Sequence, residues 1–178
     1  MTVKAEPNFE LQVPPGDDKE RRVCQRCDFI DYQNPKIVAG SVIIKDGRFL
    51  LCKRAIEPRK GYWTLPAGFM ELGESVEEAA RREAQEEACA DIEIDRLLAV
   101  YSVPRIGQVQ VMFRARLNGD FGIGPESEDV ALYDWADIPW SQLAFPTVVW
   151  ALSDYAASRH TDTFVPFANP PGTDALTR

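Results

Sequence analysis

Three glutamates, Glu83, Glu86 and Glu87, stand within little more than one helical turn in the run GFMELGESVEEAARREAQEEACA, from Gly68 to Ala90. At about 100° per residue, Val76, Ala79, Ala80 and Ala84 form an apolar stripe that must pack on a neighbouring layer. Glu83, Glu86 and Glu87 project within that stripe, whereas Glu77, Arg81, Gln85 and Ala88 fall on the opposite, watery side. An unpaired charge at a packed face costs several kcal/mol, so something must neutralise the set. Mg²⁺ and Mn²⁺ suit the task, because they favour carboxylate oxygens and keep waters for a phosphate substrate. The competing reading is a solvated acidic face laced with Arg81 and Arg82. Like-charge neighbours at i, i+4 cost only about 0.2–0.5 kcal/mol on a surface helix. The direction of projection therefore separates the two.

The elements that must hold these residues are legible around them. Ser75 caps the acidic helix, Glu78 completes a capping box, and the helix runs to about Cys89. Upstream, apolar runs at Ile37–Ile44 and Arg48–Lys53 flank Lys45-Asp46-Gly47, a hairpin signal. Gly61–Leu65 reads as a short strand entering the loop Pro66-Ala67-Gly68. Downstream, Ile92–Val103 is a strand with irregular ends. Over Gln108–Leu117, Val109, Val111, Phe113, Ala115 and Leu117 alternate with Gln108, Gln110, Arg114 and Arg116. Gly119–Asp129 is a loop, Val130–Trp135 a strand and Pro139–Leu143 a helical turn. A second long helix starts after Pro146, with Val148, Leu152 and Tyr155 at helical spacing. The proline-rich tail from Thr161 wraps the surface or frays. Strands separated by two long helices imply an α/β (α+β) fold, a mixed sheet packed between helices. The predicted organisation is an N-terminal arm over 1–36, the main domain over 37–160 and a tail over 161–178.

The 178-residue chain suits one domain plus a small appendage. A net charge of −8 argues against nucleic acid as the main partner, while leaving room for small phosphorylated substrates. No apolar run approaches membrane-spanning length, and MTVKAEPNFE lacks a signal-peptide core, so a cytoplasmic protein is expected. Cys24 and Cys27 form a C-x-x-C knuckle, but a structural zinc site needs four ligands. No second pair accompanies it, and the single histidine, His160, lies far along the chain. Structural Zn²⁺ is accordingly not expected.

The acidic run resembles the Nudix box. Gly68, Glu74, Arg82, Glu83, Ala84, Glu86 and Glu87 match its order and spacing; Cys89 replaces its last glycine, and Ala90 takes the final apolar position. The stretches YQNPKIVAG, CKRAIEPRKGYWTLPAGFMELGES, GPESED and IPWSQLAFPT look like a branch with an N-terminal zinc ribbon, which includes ADP-ribose and FAD pyrophosphatases. In those relatives two C-x-x-C pairs hold zinc; here NFELQVPPGDD stands where the first would be.

The resemblance implies an α/β/α sandwich and metal-assisted attack of water on a nucleoside diphosphate linked to a second group. Glu83 and Glu87 become central ligands of Mg²⁺ or Mn²⁺, Glu86 contributes to a further ion, and a backbone carbonyl at Ala67 or Gly68 joins them. Arg82 orients the glutamates by ion pairing, and Glu74 either shares in the site or does only the capping and dipole work of an acid at a helix start. Glu126 is carried over as general base and Glu128 as an additional ligand, against the alternative of a solvated acidic loop. For substrate binding, Arg54 is placed to meet a phosphate. Trp63 either stacks on a ring or closes the edge of the core, and Arg105 and Gln108 flank a loop over the ligand. Pro104 lies roughly where ADP-ribose hydrolases carry a marker proline, and the SQPWPFP-type stretch of NADH pyrophosphatases is absent. The expected substrates are ADP-ribose or FAD. Alternatives are oxidised nucleotides, capped RNA, or a nucleotide-sensing module without catalysis. A homodimer is compatible with the family.

Overall fold

The computed structural model describes residues 8–161 and 163–173, in two compact units that meet at Asn34 and Pro35. In the first, β1 (Phe9–Gln12), β2 (Arg21–Cys24) and β3 (Ile30–Asp31) form an antiparallel sheet in that order. Charged side chains do much of the fastening. Arg21 pairs with Asp17 at 2.9 Å, while Arg22 lies 3.7 Å from Asp31 and over the Phe9 ring. Cys24 and Cys27 flank the turn from β2 to β3, closed by the Asp28 N–H on the Cys24 carbonyl at 2.9 Å.

In the second unit, Asp46 and Gly47 adopt φ of 52° and 79°, as a two-residue hairpin turn with two left-handed positions requires. They join β4 (Lys36–Lys45) to β5 (Arg48–Arg54). The remaining strands are β6 (Trp63–Thr64), β7 (Ala67–Phe69), β8 (Asp91–Val103), β9 (Gln108–Asn118) and β10 (Ser127–Tyr133). The sheet runs β10-β5-β4-β9-β8, with β6 on β5 and β7 on β4. β4 and β9 are parallel and the other pairs antiparallel. Helix α1 (Val76–Ala88) packs on one face and α2 (Pro146–Ser158) on the other. Strict alternation divides the core: Val42, Phe49 and Leu51 face α2, while Ile43, Leu50 and Cys52 face α1. The result is the expected α/β/α sandwich with a mixed sheet. No helix among the described residues is long and apolar enough to cross a membrane.

Several local expectations need correction. Ala67–Phe69 is a strand, because Gly40 lets it approach: a Cβ on Gly40 would lie 2.4 Å from the Ala67 Cβ. Ser127–Asp129 belongs to β10 rather than to the preceding loop. Ala88 is buried with Ala84 against Ile43 and Ala115, so the packed stripe of α1 is rotated from its expected centre, and Glu86 is exposed. On β9, Met112 is buried beside Gln110, because α2 covers the face that alternation left to water. Cys89 replaces the box glycine without altering the turn. It takes φ 46°, its N–H reaches the Gln85 carbonyl at 3.0 Å, and the Ala90 N–H reaches Ala84 at 3.1 Å. A left-handed residue with a side chain costs about 1–2 kcal/mol, which this helix end absorbs. The described tail docks on β8 through Phe167, bonded to Leu98 and Val100, and through Asn169, bonded to Ser102.

Cys24 and Cys27 are the thiols of the first unit, and two thiols cannot close a tetrahedral zinc site. Elemental analysis of the purified protein should find well below one zinc per chain. A stoichiometric value would mean that further ligands come from elsewhere.

Candidate active site

Ser75 and Glu78 close the reciprocal capping box that starts α1, with the Ser75 N–H donating to Glu78 at 2.7 Å and the Glu78 N–H to Ser75 at 3.2 Å. This sets the helix register and thereby the direction of every box glutamate. Arg82 then organises them. Its guanidinium grips Glu74 through two bonds, 3.0 and 2.8 Å, and reaches Glu83 at 2.7 Å, Glu86 at 3.1 Å and the Phe69 carbonyl at 2.9 Å. The Arg82 bond, together with the Glu71 N–H, holds the Glu74 carboxyl at about 2. Ser75 caps the helix, and Glu74 spends its carboxylate on Arg82 and the Glu71 N–H.

Glu83 and Glu87 are buried on the sheet side of α1. Glu83 occupies the space a side chain at position 68 would need: a Cβ on Gly68 would lie 2.4 Å from its carboxylate. That accounts for the glycine, a packing requirement rather than a turn. Glu87 accepts a bond from the Ala67 N–H at 3.3 Å. Burial pushes the Glu87 carboxyl up to about 8, with Glu83 and Glu126 adding to the rise against the Ala67 bond and Arg54. Burial raises Glu83 as well, partly countered by Arg82.

The last turn of α1 exposes carbonyls that need donors, and the segment after β9 supplies them. The Gly122 N–H bonds Ala88 at 2.8 Å, the Gly124 N–H bonds Glu87 at 3.2 Å, and the Ser127 hydroxyl donates to the Glu87 carbonyl at 2.8 Å. A Cβ on Gly124 would lie 1.8 Å from the Glu86 oxygen, so only glycine permits this docking. Glu126 is thereby delivered to the same cleft as Glu83 and Glu87. Its carbonyl accepts the Ala55 N–H at 2.8 Å, tying it to the segment that follows Arg54. A break in the β10–β5 register between Ser127 and Asp129 turns Glu128 elsewhere. Glu128 lies 4.0 Å from Lys53 and 3.9 Å from Lys60 and does not line the cleft.

That cleft has a volume of about 600 Å³. Glu83, Glu86, Glu87, Glu126, Arg82, Ala67 and Gly68 line one end, and Arg54, Arg105 and Gln108 also border it. Arg54 is held by its Nε bond to the Pro58 carbonyl at 2.8 Å and lies over the Phe145 ring.

The sequence matches the NUDIX domain family over residues 34–151 and the family described as Nudix N-terminal over residues 6–33. The chain belongs to the Nudix hydrolase family. Among similar solved structures, a NUDIX hydrolase from Nitrosomonas europaea is 42% identical with a TM-score of 0.85, covering 94% of this chain and 97% of that one. An ADP-ribose pyrophosphatase from Methanocaldococcus jannaschii is 35% identical over 119 residues, 64% of this chain and 69% of that protein. An NAD-capped RNA hydrolase, NudC, from Chromobacterium violaceum is 31% identical over 122 residues, and the match spans 45% of its length.

Within this Nudix frame some expected residues are brought together and others are not. The box glutamates, Glu126, Arg54, Arg105 and Gln108 share the cleft. Trp63 does not; it is buried in the core with its ring edge-on to Tyr133, centroids 5.2 Å apart. Ser127, Gly124 and Gln110 were missed, because their importance depends on which elements meet them. Nudix hydrolases use divalent ions such as Mg²⁺ or Mn²⁺, and the donors here suit such ions: carboxylates plus the backbone at Ala67 and Gly68. Glu83 and Glu86 are turned toward Arg82, so among the described residues no three acidic groups surround one point.

The raised Glu87 carboxyl has a consequence for stability. Below the ordinary glutamate value both folded and unfolded chains hold the proton. Between that value and about 8 the folded chain alone retains it, so folding weakens as pH rises. In chelator, the wild type should lose stability from pH 5 to 8 relative to Glu87→Gln, by about 1.4 kcal/mol for each unit of upward shift. Parallel denaturation curves for the two proteins across that range would contradict this.

Proposed function

We propose that this chain hydrolyses the diphosphate of a nucleoside diphosphate linked to a second moiety, with ADP-ribose or FAD as substrate. The observation that carries the reading is the buried Glu87 carboxylate beside Glu83, in a cleft that Glu126 and Arg54 also line. Such a site combines an uncompensated acidic pocket with room for one nucleotide-sized ligand. The kinship with an ADP-ribose pyrophosphatase favours that substrate class.

Glu83 and Glu87, with Glu86 and a carbonyl at Ala67 or Gly68, would hold Mg²⁺ or Mn²⁺. When bound, these ions neutralise charge on the phosphate oxygens and lower the pKa of bound water. Arg82 aims the glutamates. Arg54 and Arg105 meet the phosphates from the cleft rim. Glu126 takes the proton of the attacking water. The water oxygen bonds to one phosphorus while that phosphorus loses the bridging oxygen, which leaves with the other phosphate. The products are AMP plus ribose 5-phosphate, or AMP plus FMN.

The test is a panel of ADP-ribose, FAD, NADH, an oxidised nucleoside triphosphate and NAD-capped RNA with Mg²⁺ or Mn²⁺, products separated by chromatography. ADP-ribose or FAD should be cleaved fastest, with Glu87→Gln and Glu126→Gln each lowering kcat by about 100-fold or more. Near-normal turnover by Glu126→Gln alone would remove that residue from the base role. Preferential cleavage of capped RNA would move the chain toward the NudC relatives.

A further inference from the structure

The lining of the cleft is not acidic throughout. Val38 on β4, Val103 on β8, Met112 on β9, and Val148 and Trp150 on α2 also line it, all apolar. Thr64, also there, spends its hydroxyl on the Leu65 carbonyl at 3.2 Å. The polar group set into this floor is the half-buried Gln110 amide. Its Nε2 lies 3.4 Å from Gln108 Oε1, a long contact between two amides that leaves Gln110 polar atoms for a ligand.

Strand register sets the distance. Val38 pairs with Phe69 of β7 on one side and with Gln110 of β9 on the other. Gln110 therefore lies two strand spacings, about 10 Å, from the strand whose Gly68 touches Glu83. That gap accommodates the ribose between a phosphate held by the glutamates and its base.

We propose that this apolar lobe seats the adenine of the substrate and that Gln110 reads it, Oε1 accepting from N6–H and Nε2–H donating to N7. A glutamine amide matches this donor–acceptor edge, whereas hypoxanthine offers two acceptors there. The assignment rests on the pyrophosphatase reading above and narrows its substrate class to adenine-bearing diphosphates, a feature that ADP-ribose and FAD share.

The test compares AMP with IMP, by calorimetry in Mg²⁺, and ADP-ribose with its hypoxanthine counterpart, by turnover. Wild type, Gln110→Leu and Gln110→Glu are used, each checked for unchanged thermal melting. Wild type should favour the adenine ligand by about 10- to 100-fold in Kd and KM. Gln110→Leu should bring that ratio near one by weakening adenine binding, with kcat for ADP-ribose within about twofold, since the reacting groups are untouched. Gln110→Glu keeps the acceptor for N6–H but loses the donor to N7, so it should weaken AMP binding without letting IMP, which presents two acceptors, bind better than AMP. Equal wild-type affinity for AMP and IMP, no AMP binding, or a ratio unchanged in Gln110→Leu would overturn the proposal. Hydrolysis with an unaltered base preference sinks this inference alone; a Gln110-dependent AMP preference without any hydrolysis sinks only the pyrophosphatase reading.

Discussion

Glu83 and Glu87 lie on the face of α1 that packs against the sheet, where a carboxylate has lost most of its water. Neither has enough protein partners to offset that loss: one shared guanidinium for Glu83, one backbone N–H at 3.3 Å for Glu87. A helix that kept this pattern for stability alone would substitute apolar residues, since replacing buried charge with well-packed hydrocarbon is commonly neutral or stabilising. The neighbouring chain is shaped around these acids. Gly68 vacates the volume that Glu83 fills, and Gly40 lets β7 close enough to present the Ala67 N–H.

The same helix end fixes the opposite wall. The α1 carbonyls draw in Gly122, Gly124 and Ser127, and that docking carries Glu126 to the cleft. The Ala55 N–H on the Glu126 carbonyl ties the segment after Arg54 to the segment bearing Glu126. The backbone bonds around the α1 terminus thus set where Glu126 stands relative to Glu83 and Glu87.

How much of this the sequence disclosed follows from how local each cause is. The capping box, the Asp46-Gly47 turn and the two long helices depend on neighbouring residues and were legible. Glu83 and Glu87 were legible because helical periodicity reports side-chain direction directly. Glu86 and Ala88 exchanged places with expectation because the centre of a packed stripe is set by where the sheet lies, to which an alanine-rich helix gives little clue. Trp63 fits a ring-stacking site or a core equally well by type, and Tyr133, seventy residues on, decides between them. Glu128 was misplaced by a break in strand register that no residue type announces. Gln110 was placed only opposite the apolar row of its strand, since alternation identifies a face without saying what covers it.

If the buried glutamates take a divalent cation, the proton that burial holds on Glu87 must leave. Titrating Mn²⁺ into metal-free protein at pH 7, in buffers of differing ionisation enthalpy, counts ions bound and protons released together. With Glu87 raised to about 8, the account predicts Mn²⁺ binding accompanied by release of most of one proton per chain. Absence of binding, or binding without proton release, would contradict it.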